Sequence, residues 1–229
     1  MASSRRTSSA LGVLLLVALA AGARAELPQR LEIEYDLLRN GSRVAEIVGR
    51  FERNGKEYRL TESWRGRGVY ALLGRAMRTS VGVLVAGRAH PLEYTDERSG
   101  RDTARAWFDW KGNVLTSRYK GKTRTEAIPP NAQDRLSFVL ALSMAPNGAK
   151  RGDYHVVDGR GTSHHVYEFA GRERVQTPVG EFDALKVVRA KDDERVEIWL
   201  APAFGGLPVR VLGIEGDTRF EQVATRIER

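Results

Sequence analysis

Four histidines, no cysteine and scattered acid pairs bound the chemistry open to this chain of 229 residues. His155, His164 and His165 are its densest group of metal-binding side chains. They flank Asp158-Gly159-Arg160-Gly161, and a hairpin turning there sets His155 opposite His164 or His165. Adjacent strand residues point to opposite faces, so only one of the latter two can join His155. Asp153 lies two positions before His155 and shares its face, completing a set of the kind that binds transition metals. The same pattern also describes an exposed polar face beside a turn. We favour that reading, and expect no metal and no other cofactor.

Other reactive types offer less. Without cysteine, thiol nucleophiles, cysteine–zinc sites and disulfides are excluded. Neither a G-x-S-x-G elbow nor an H-E-x-x-H pair is present. Ser137 has no histidine near it in sequence and reads as a hydroxyl on a helix face. Paired acids hydrolyse glycosides only when they face each other across a cleft, and Asp192-Asp193-Glu194 reads as a solvated turn. We therefore assign no catalytic residue. The large side chains Trp64, Phe108, Trp110, Phe138 and Trp199 all fall in elements expected to face a concavity. They would line either a filled core or a cavity for a hydrophobic or amphipathic ligand.

The elements that would position these residues are mostly strands. Leu31, Ile33, Tyr35 and Leu37 alternate with Glu32, Glu34 and Asp36, a period of two. Asn40-Gly41 and Asn54-Gly55 then separate alternating runs over Val44 to Phe51 and Tyr58 to Trp64, which are hairpin signals. Further strands are expected over Thr79–Val85, Leu92–Glu97, Ala104–Trp110 and Val114–Tyr119, the last ending at a Lys120-Gly121-Lys122 turn. Val69–Leu73 is ambiguous and fits a short helix. The run Gln133–Met144 places Leu136, Val139, Leu140 and Ser143 at helical spacing, with Asn131 or Asp134 available as a cap, and predicts a helix of about three turns. Strands resume over Asp153–Val157, His164–Phe169, Phe182–Arg189, Arg195–Leu200, Leu207–Ile214 and Thr218–Ile227. The fold class is mainly β: a single antiparallel meander sheet, strongly curved into a half-barrel or open barrel, with one main helix on its concave face. Pro129 to Asn131 is the one plausible seam.

The N-terminus reads as an address. Arg5 and Arg6 precede an apolar run from Ala10 to Ala21, followed by Ala23-Arg24-Ala25. That order of a basic region, a short apolar stretch and small residues is a signal peptide, with cleavage expected after Ala25. The apolar run falls short of the roughly 20 residues a membrane-spanning helix needs, so no span is expected after cleavage. Residues 26–229 then form a single periplasmic or secreted domain. The whole chain carries a formal charge of +8. Removal of Arg5, Arg6 and Arg24 leaves a moderate positive charge, suited to anionic envelope surfaces rather than nucleic acid. Arg65-Gly66-Arg67-Gly68 reads as a mobile, solvated loop.

Three segments carry a family resemblance. They are Gln133-Asp134-x-Leu136-Ser137, then Thr177-Pro178-Val179-Gly180-x-Phe182-x-Ala184, then Trp199-Leu200-Ala201-Pro202 with Leu207-Pro208-Val209-Arg210. With the signal peptide and the opening meander, they resemble the exported bacterial envelope proteins grouped as domain of unknown function 3108, over roughly Glu32 to Gln222. A looser resemblance is to periplasmic lipoprotein-carrier domains, half-barrels with a lipid-sized apolar cavity. On both, Gln133, Asp134, Ser137, Thr177, Pro178, Gly180, Pro202, Pro208 and Arg210 read as structural: Pro178 presets a turn and Gly180 frees it two residues later.

The function expected from sequence is thus an exported, non-enzymatic envelope protein that binds a hydrophobic or amphipathic ligand in a half-barrel. The alternatives are a structural or assembly partner of other envelope proteins, and an enzyme acting on glycan or cell-wall material.

Overall fold

A computed structural model describes residues 27–229 other than Asn147 and Asp192. The expected signal peptide and its cleavage after Ala25 lie outside the described residues, as does Asp192 of the acid-rich turn.

Period-two patterning becomes strand almost throughout. The first half of the chain forms β1 (Arg30–Arg39), β2 (Ser42–Asn54), β3 (Glu57–Gly66), β4 (Arg75–Val85), β5 (Arg88–Arg98), β6 (Ala104–Asp109), β7 (Val114–Tyr119) and β8 (Lys122–Ala127). The second half forms β9 (Ala132–Asp134), the helix α1 (Ser137–Ser143), β10 (Arg151–Val157), β11 (Thr162–Thr177), β12 (Gly180–Lys191), β13 (Glu194–Ala201), β14 (Leu207–Glu215) and β15 (Thr218–Glu228). The Asn40-Gly41 turn forms as its residue types require, with φ of 48° and 82°.

All 15 strands belong to one sheet, ordered β8 to β1, then β15 down to β9. Two meanders therefore meet in the middle, where β1 pairs antiparallel with β15. The Pro129–Asn131 seam separates the two edge strands, β8 and β9. Among the described residues every ladder is antiparallel except β9 on β10, and none joins the edges into a closed barrel.

Three expectations need correction. The helix is shorter than its spacing implies. Ala132 to Asp134 pair instead with His155 to Val157 of β10, and the Asp134 side chain captures the backbone N–H groups of Leu136 and Ser137. The capping competition that makes Asp disfavour helix interiors thus moves the start to Ser137. Arg65-Gly66-Arg67-Gly68 is no loop: Arg65 and Gly66 end β3, and Gly68 opens a 3-10 turn over Gly68–Leu73. Lys122 begins a strand rather than only closing a turn, because Lys122 to Ala127 pair with β7.

One face of the sheet carries the core. Leu31, Ile33, Phe51 and Leu60 alternate inward, and Leu140 of α1 is buried in the same cluster. A second cluster gathers Tyr94, Ala106, Phe108 and Leu115, and a third gathers Tyr167, Val187, Ile198 and Leu200 with Leu142 of α1. The helix touches β5, β10 and β14. Among the described residues, no helix is long and apolar enough to cross a membrane.

Candidate functional site

The apolar face is interrupted by a row of charge. Glu62, Arg78 and Asp96 occupy matched positions on β3, β4 and β5, in the same phase as buried Leu60, Ser80 and Tyr94. The Arg78 guanidinium donates to Glu62 at 2.8 Å, and so does the Trp64 indole at 2.6 Å. Asp96 is fully buried and accepts from Arg98 and Arg160, at 2.8 and 2.9 Å. Burial works to raise its pKa, yet Arg98, Arg160 and Arg78 together hold it below the usual carboxylate range. Arg160 sits in the β10–β11 turn and also lies over the Tyr119 ring of β7. One buried carboxylate thereby ties the far end of the second meander to the first.

A second tie lies beside it. Gln133 donates to the Ala89 carbonyl of β5 at 2.9 Å, and Ser80 of β4 donates to Asp134 at 2.6 Å. The Ser137 hydroxyl accepts the Asp134 N–H at 2.8 Å. Asp134 is wholly buried, and burial pushes its carboxyl up to about 6 despite these donors. The Gln133-Asp134-x-Leu136-Ser137 segment is thus a clasp that fixes β9 and the start of α1 against β4 and β5.

The five large side chains proposed from sequence do not converge. Trp64 packs at the rim of the first cluster, Phe108 and Trp110 belong to the second, and Phe138 stacks on Tyr167 in the third. Trp110 stacks near Phe108 and donates to the Pro91 carbonyl. Trp199 is buried in the first cluster, out of phase with Ile198 and Leu200 of the third, and pairs across strands with Lys186 and Arg210. The Lys186 and Arg210 cations sit 4.9 and 5.0 Å from its ring, and its indole donates to Glu173. Under α1, a cavity of about 70 Å³ lies between Ile33, Phe51 and Leu60 on one side and Leu136, Val139 and Leu207 on the other.

His155 pairs directly with His164, their rings 4.9 Å apart, and the His164 Nε2 meets Asp153. His155 Nδ1 contacts the Pro130 carbonyl. The alternation argument is correct in selecting one of the adjacent histidines. Yet among the described residues no three His, Asp or Glu side chains stand where they could hold a metal ion. His165 turns to the other face, beside Tyr167, and burial, then Arg189 and Arg135, push it down to about 4.

The remaining motif residues build turns and joints. Thr177 pairs with Gly180 at the β11–β12 turn, where Gly180 takes φ of 130° and the Thr177 hydroxyl meets the Val179 N–H. Pro202 opens a 3-10 turn that ends at Gly205, with φ of 65°. The Pro208 carbonyl accepts from Tyr35 at 2.7 Å, and Arg210 donates to Glu221. The sequence reading missed Glu62, Arg78, Ser80, Asp96 and Arg160. The signal was present for four of them, because each is in phase with the buried residues of its strand.

Two larger spaces lie on the opposite face of the sheet. One, of about 580 Å³, runs between Arg43, Glu46, Val48, Arg65, Arg75 and Met77. The other, of about 570 Å³, is bordered by Arg30, Glu52, Arg59, Val83 and Leu92.

Comparison with known proteins bears on fold and family. A solved structure, the crystal structure of a beta-barrel-like protein of domain of unknown function DUF1849 from Brucella abortus, is similar at a TM-score of 0.60 and 12% identity. The likeness covers 88% of this chain and 98% of that one, and it extends to the fold alone. No curated protein matches the sequence. The family described as Protein of unknown function (DUF3108) matches residues 30–216, most of the chain, and the protein belongs to that family.

Proposed function

We propose that this is an exported, non-enzymatic protein of the bacterial cell envelope that works through its outer surface, as a structural or assembly partner. The observation that carries this reading is the contrast in free space. About 70 Å³ beneath α1 admits a few waters, and the space beside its C-terminal end, between Ala89, Gln133, Ala141 and Tyr154, is about 300 Å³. Ligand pockets commonly span about 300 to 1,000 Å³. The grooves on the opposite face, at about 580 and 570 Å³, reach that range. A helix touching β5, β10 and β14 together also supports a strongly curved sheet wrapped round α1, with its concave side filled.

The inward acids support a role without catalysis. Asp96 and Asp134 are fully buried, and Glu62 is taken up by Arg78 and Trp64. Acids committed in this way are structural rather than poised across a cleft. The test is cross-linking in intact cells followed by purification. A discrete, stoichiometric adduct is expected, and it should be lost on Met77→Lys in the larger groove. Recovery of the protein without any adduct would overturn the reading.

A second reading has its own support. The space under α1 is lined by Ile33, Phe51, Leu60, Val139 and Leu207, so lifting the helix would open an apolar floor for a hydrophobic or amphipathic ligand. Native mass spectrometry with lipid extraction decides between the two. A copurifying lipid lost on replacing Val139 with Asp would favour the ligand reading.

A further inference from the structure

We propose that the 3-10 turn Gly68–Leu73 and the arginines around it dock this protein onto an anionic bilayer surface. This goes beyond the assembly reading: it rests on Val69 and Leu72, which do not border the grooves, although Arg43, Arg65 and Arg75 also line the larger of them. The turn joins β3 to β4 and reads Gly-Val-Tyr-Ala-Leu-Leu, without a charged side chain. Val69 is 77% exposed and Leu72 is 91% exposed, the two highest values for large hydrophobic side chains among the described residues. Single exposed apolar residues are ordinary. Two on one turn, at the end of a sheet, need another account.

The turn is held, not loose. A Cβ on Gly66 would come within 2.1 Å of the Tyr70 carbonyl oxygen, so the turn's backbone lies directly on β3. A Cβ on Gly74 would meet Ser99, the residue after β5, at 2.5 Å. Gly68 and Gly74 adopt φ of 54° and 75°, which lets the chain enter and leave this tight seat. Val69 and Leu72 are therefore presented to solvent by a fixed backbone, and no ordering cost falls due on docking.

Charge then selects the partner. Arg39, Arg43, Arg65, Arg67 and Arg75 are all exposed around the turn. Arg39 reaches the Tyr70 hydroxyl at 3.4 Å and lies over the exposed Phe220 ring. Arg43 pairs with Asp36 and Glu46, and Arg67 pairs with Glu46. Arg65 and Arg75 sit opposite each other on β3 and β4, and neither has an ion-pair partner among the described residues. Five cations thus stand against the paired acids Asp36 and Glu46, while Glu34, taken up by Arg226, and Glu97 line the groove that begins at Arg65 and Arg75. Apolar side chains ringed by arginine, with Tyr70 and Phe220 at the rim, match the layered chemistry of a bilayer surface. The tip enters the boundary of the acyl region and the arginines meet phosphates. A protein groove would not require unpaired cations on both sides of the apolar tip.

The test uses vesicles of phosphatidylcholine alone and of phosphatidylcholine with one quarter phosphatidylglycerol. All variants are made in the same full-length background, so any contribution of residues 1–26 is common to them. Binding is expected only to the anionic vesicles, and it should weaken as salt rises. Val69→Ser with Leu72→Ser should lower the partition coefficient about tenfold. Arg65→Gln and Arg75→Gln should each lower it about fivefold. Val85→Ser, also exposed but at the opposite end of β4 from Arg75, should leave it unchanged. The chain has no cysteine, so Leu72→Cys accepts a single environment-sensitive fluorophore. Its emission should shift to the blue on anionic vesicles, whereas a label at Val85→Cys should not. Equal binding to both vesicle types, no binding to either, or a label at position 72 that stays in water would each overturn the proposal.

Discussion

The Ser80 hydroxyl donates a 2.6 Å hydrogen bond to the Asp134 carboxylate across 54 positions of sequence. Both residues are fully buried, and the bond joins β4 to β9, the edge of the second meander. Ser80→Ala removes one donor and leaves a buried carboxylate oxygen without its partner. That should cost about 1 to 3 kcal/mol of stability. Urea denaturation measures it, and a loss well under 0.5 kcal/mol, by the same rough scale, would mean that the clasp holds nothing.

Asp134 also sets a pH dependence that another residue hides. Its carboxyl is raised to about 6, so the folded state binds a proton that the unfolded chain releases near pH 4. Its contribution therefore falls as pH rises from 4 to 6, by about 3 kcal/mol in all. His165 does the opposite. It is pushed down to about 4, so the unfolded chain takes up its proton first, and stability rises with pH over an overlapping window. The wild type should then show a shallow profile between about pH 4.5 and 6. Asp134→Asn should unmask a rise with pH, and His165→Gln should unmask a fall. Thermal or urea unfolding across that window checks both slopes. The same slope in both variants would refute the assignment.

Much of the fold is legible because a two-residue period is a local property. Leu31, Ile33 and Tyr35 declare a half-buried strand without reference to anything distant. The helix start was misplaced for a tertiary reason. Gln133 and Asp134 continue the helical spacing, but their side chains and backbone find better partners in Ala89, Ser80 and β10, far away in sequence. The inward charges were overlooked because an arginine or acid within a strand is ordinarily assigned to solvent. Arg78 and Asp96 compensate each other only once β4 and β5 pair in register. The five aromatics were grouped by type, although nothing in sequence placed Trp199 on the same face as Phe138. Single-strand phase could have separated them, had the register of β12 to β14 been known.

Asp96 should be the most sensitive polar position in the protein. Asp96→Ala leaves Arg78, Arg98 and Arg160 converging on an empty place. Arg98 and Arg160 are partly exposed and can swing into water, whereas the Arg78 side chain is only 13% exposed. Removing one partner of a buried ion pair costs about 3 to 5 kcal/mol, but Arg78 keeps its bond to Glu62 and the two outer arginines relax into water, which places this loss at or below the lower end. Arg160→Gln should cost much less, about 1 kcal/mol, since Asp96 keeps its other partners. Equilibrium unfolding of the two variants tests the ranking, and equal losses would contradict it.

Trp199 and Arg210 lie in the segments that carry the family resemblance, and their geometry says what each does for the other. They face each other across β13 and β14, with the guanidinium 5.0 Å from the indole ring and Lys186 at 4.9 Å as a second cation. Arg210 is further held by Glu221, at 2.7 Å, so its stacking is oriented rather than transient. A double-mutant cycle of Trp199→Leu and Arg210→Met should give a coupling of about 0.5 to 1 kcal/mol. Arg210→Lys should retain part of it, because the ammonium keeps the charge but loses the planar contact. If Arg210→Met costs as much in the Trp199→Leu background as in the wild type, then Arg210 serves Glu221 alone and the pairing with tryptophan carries no energy.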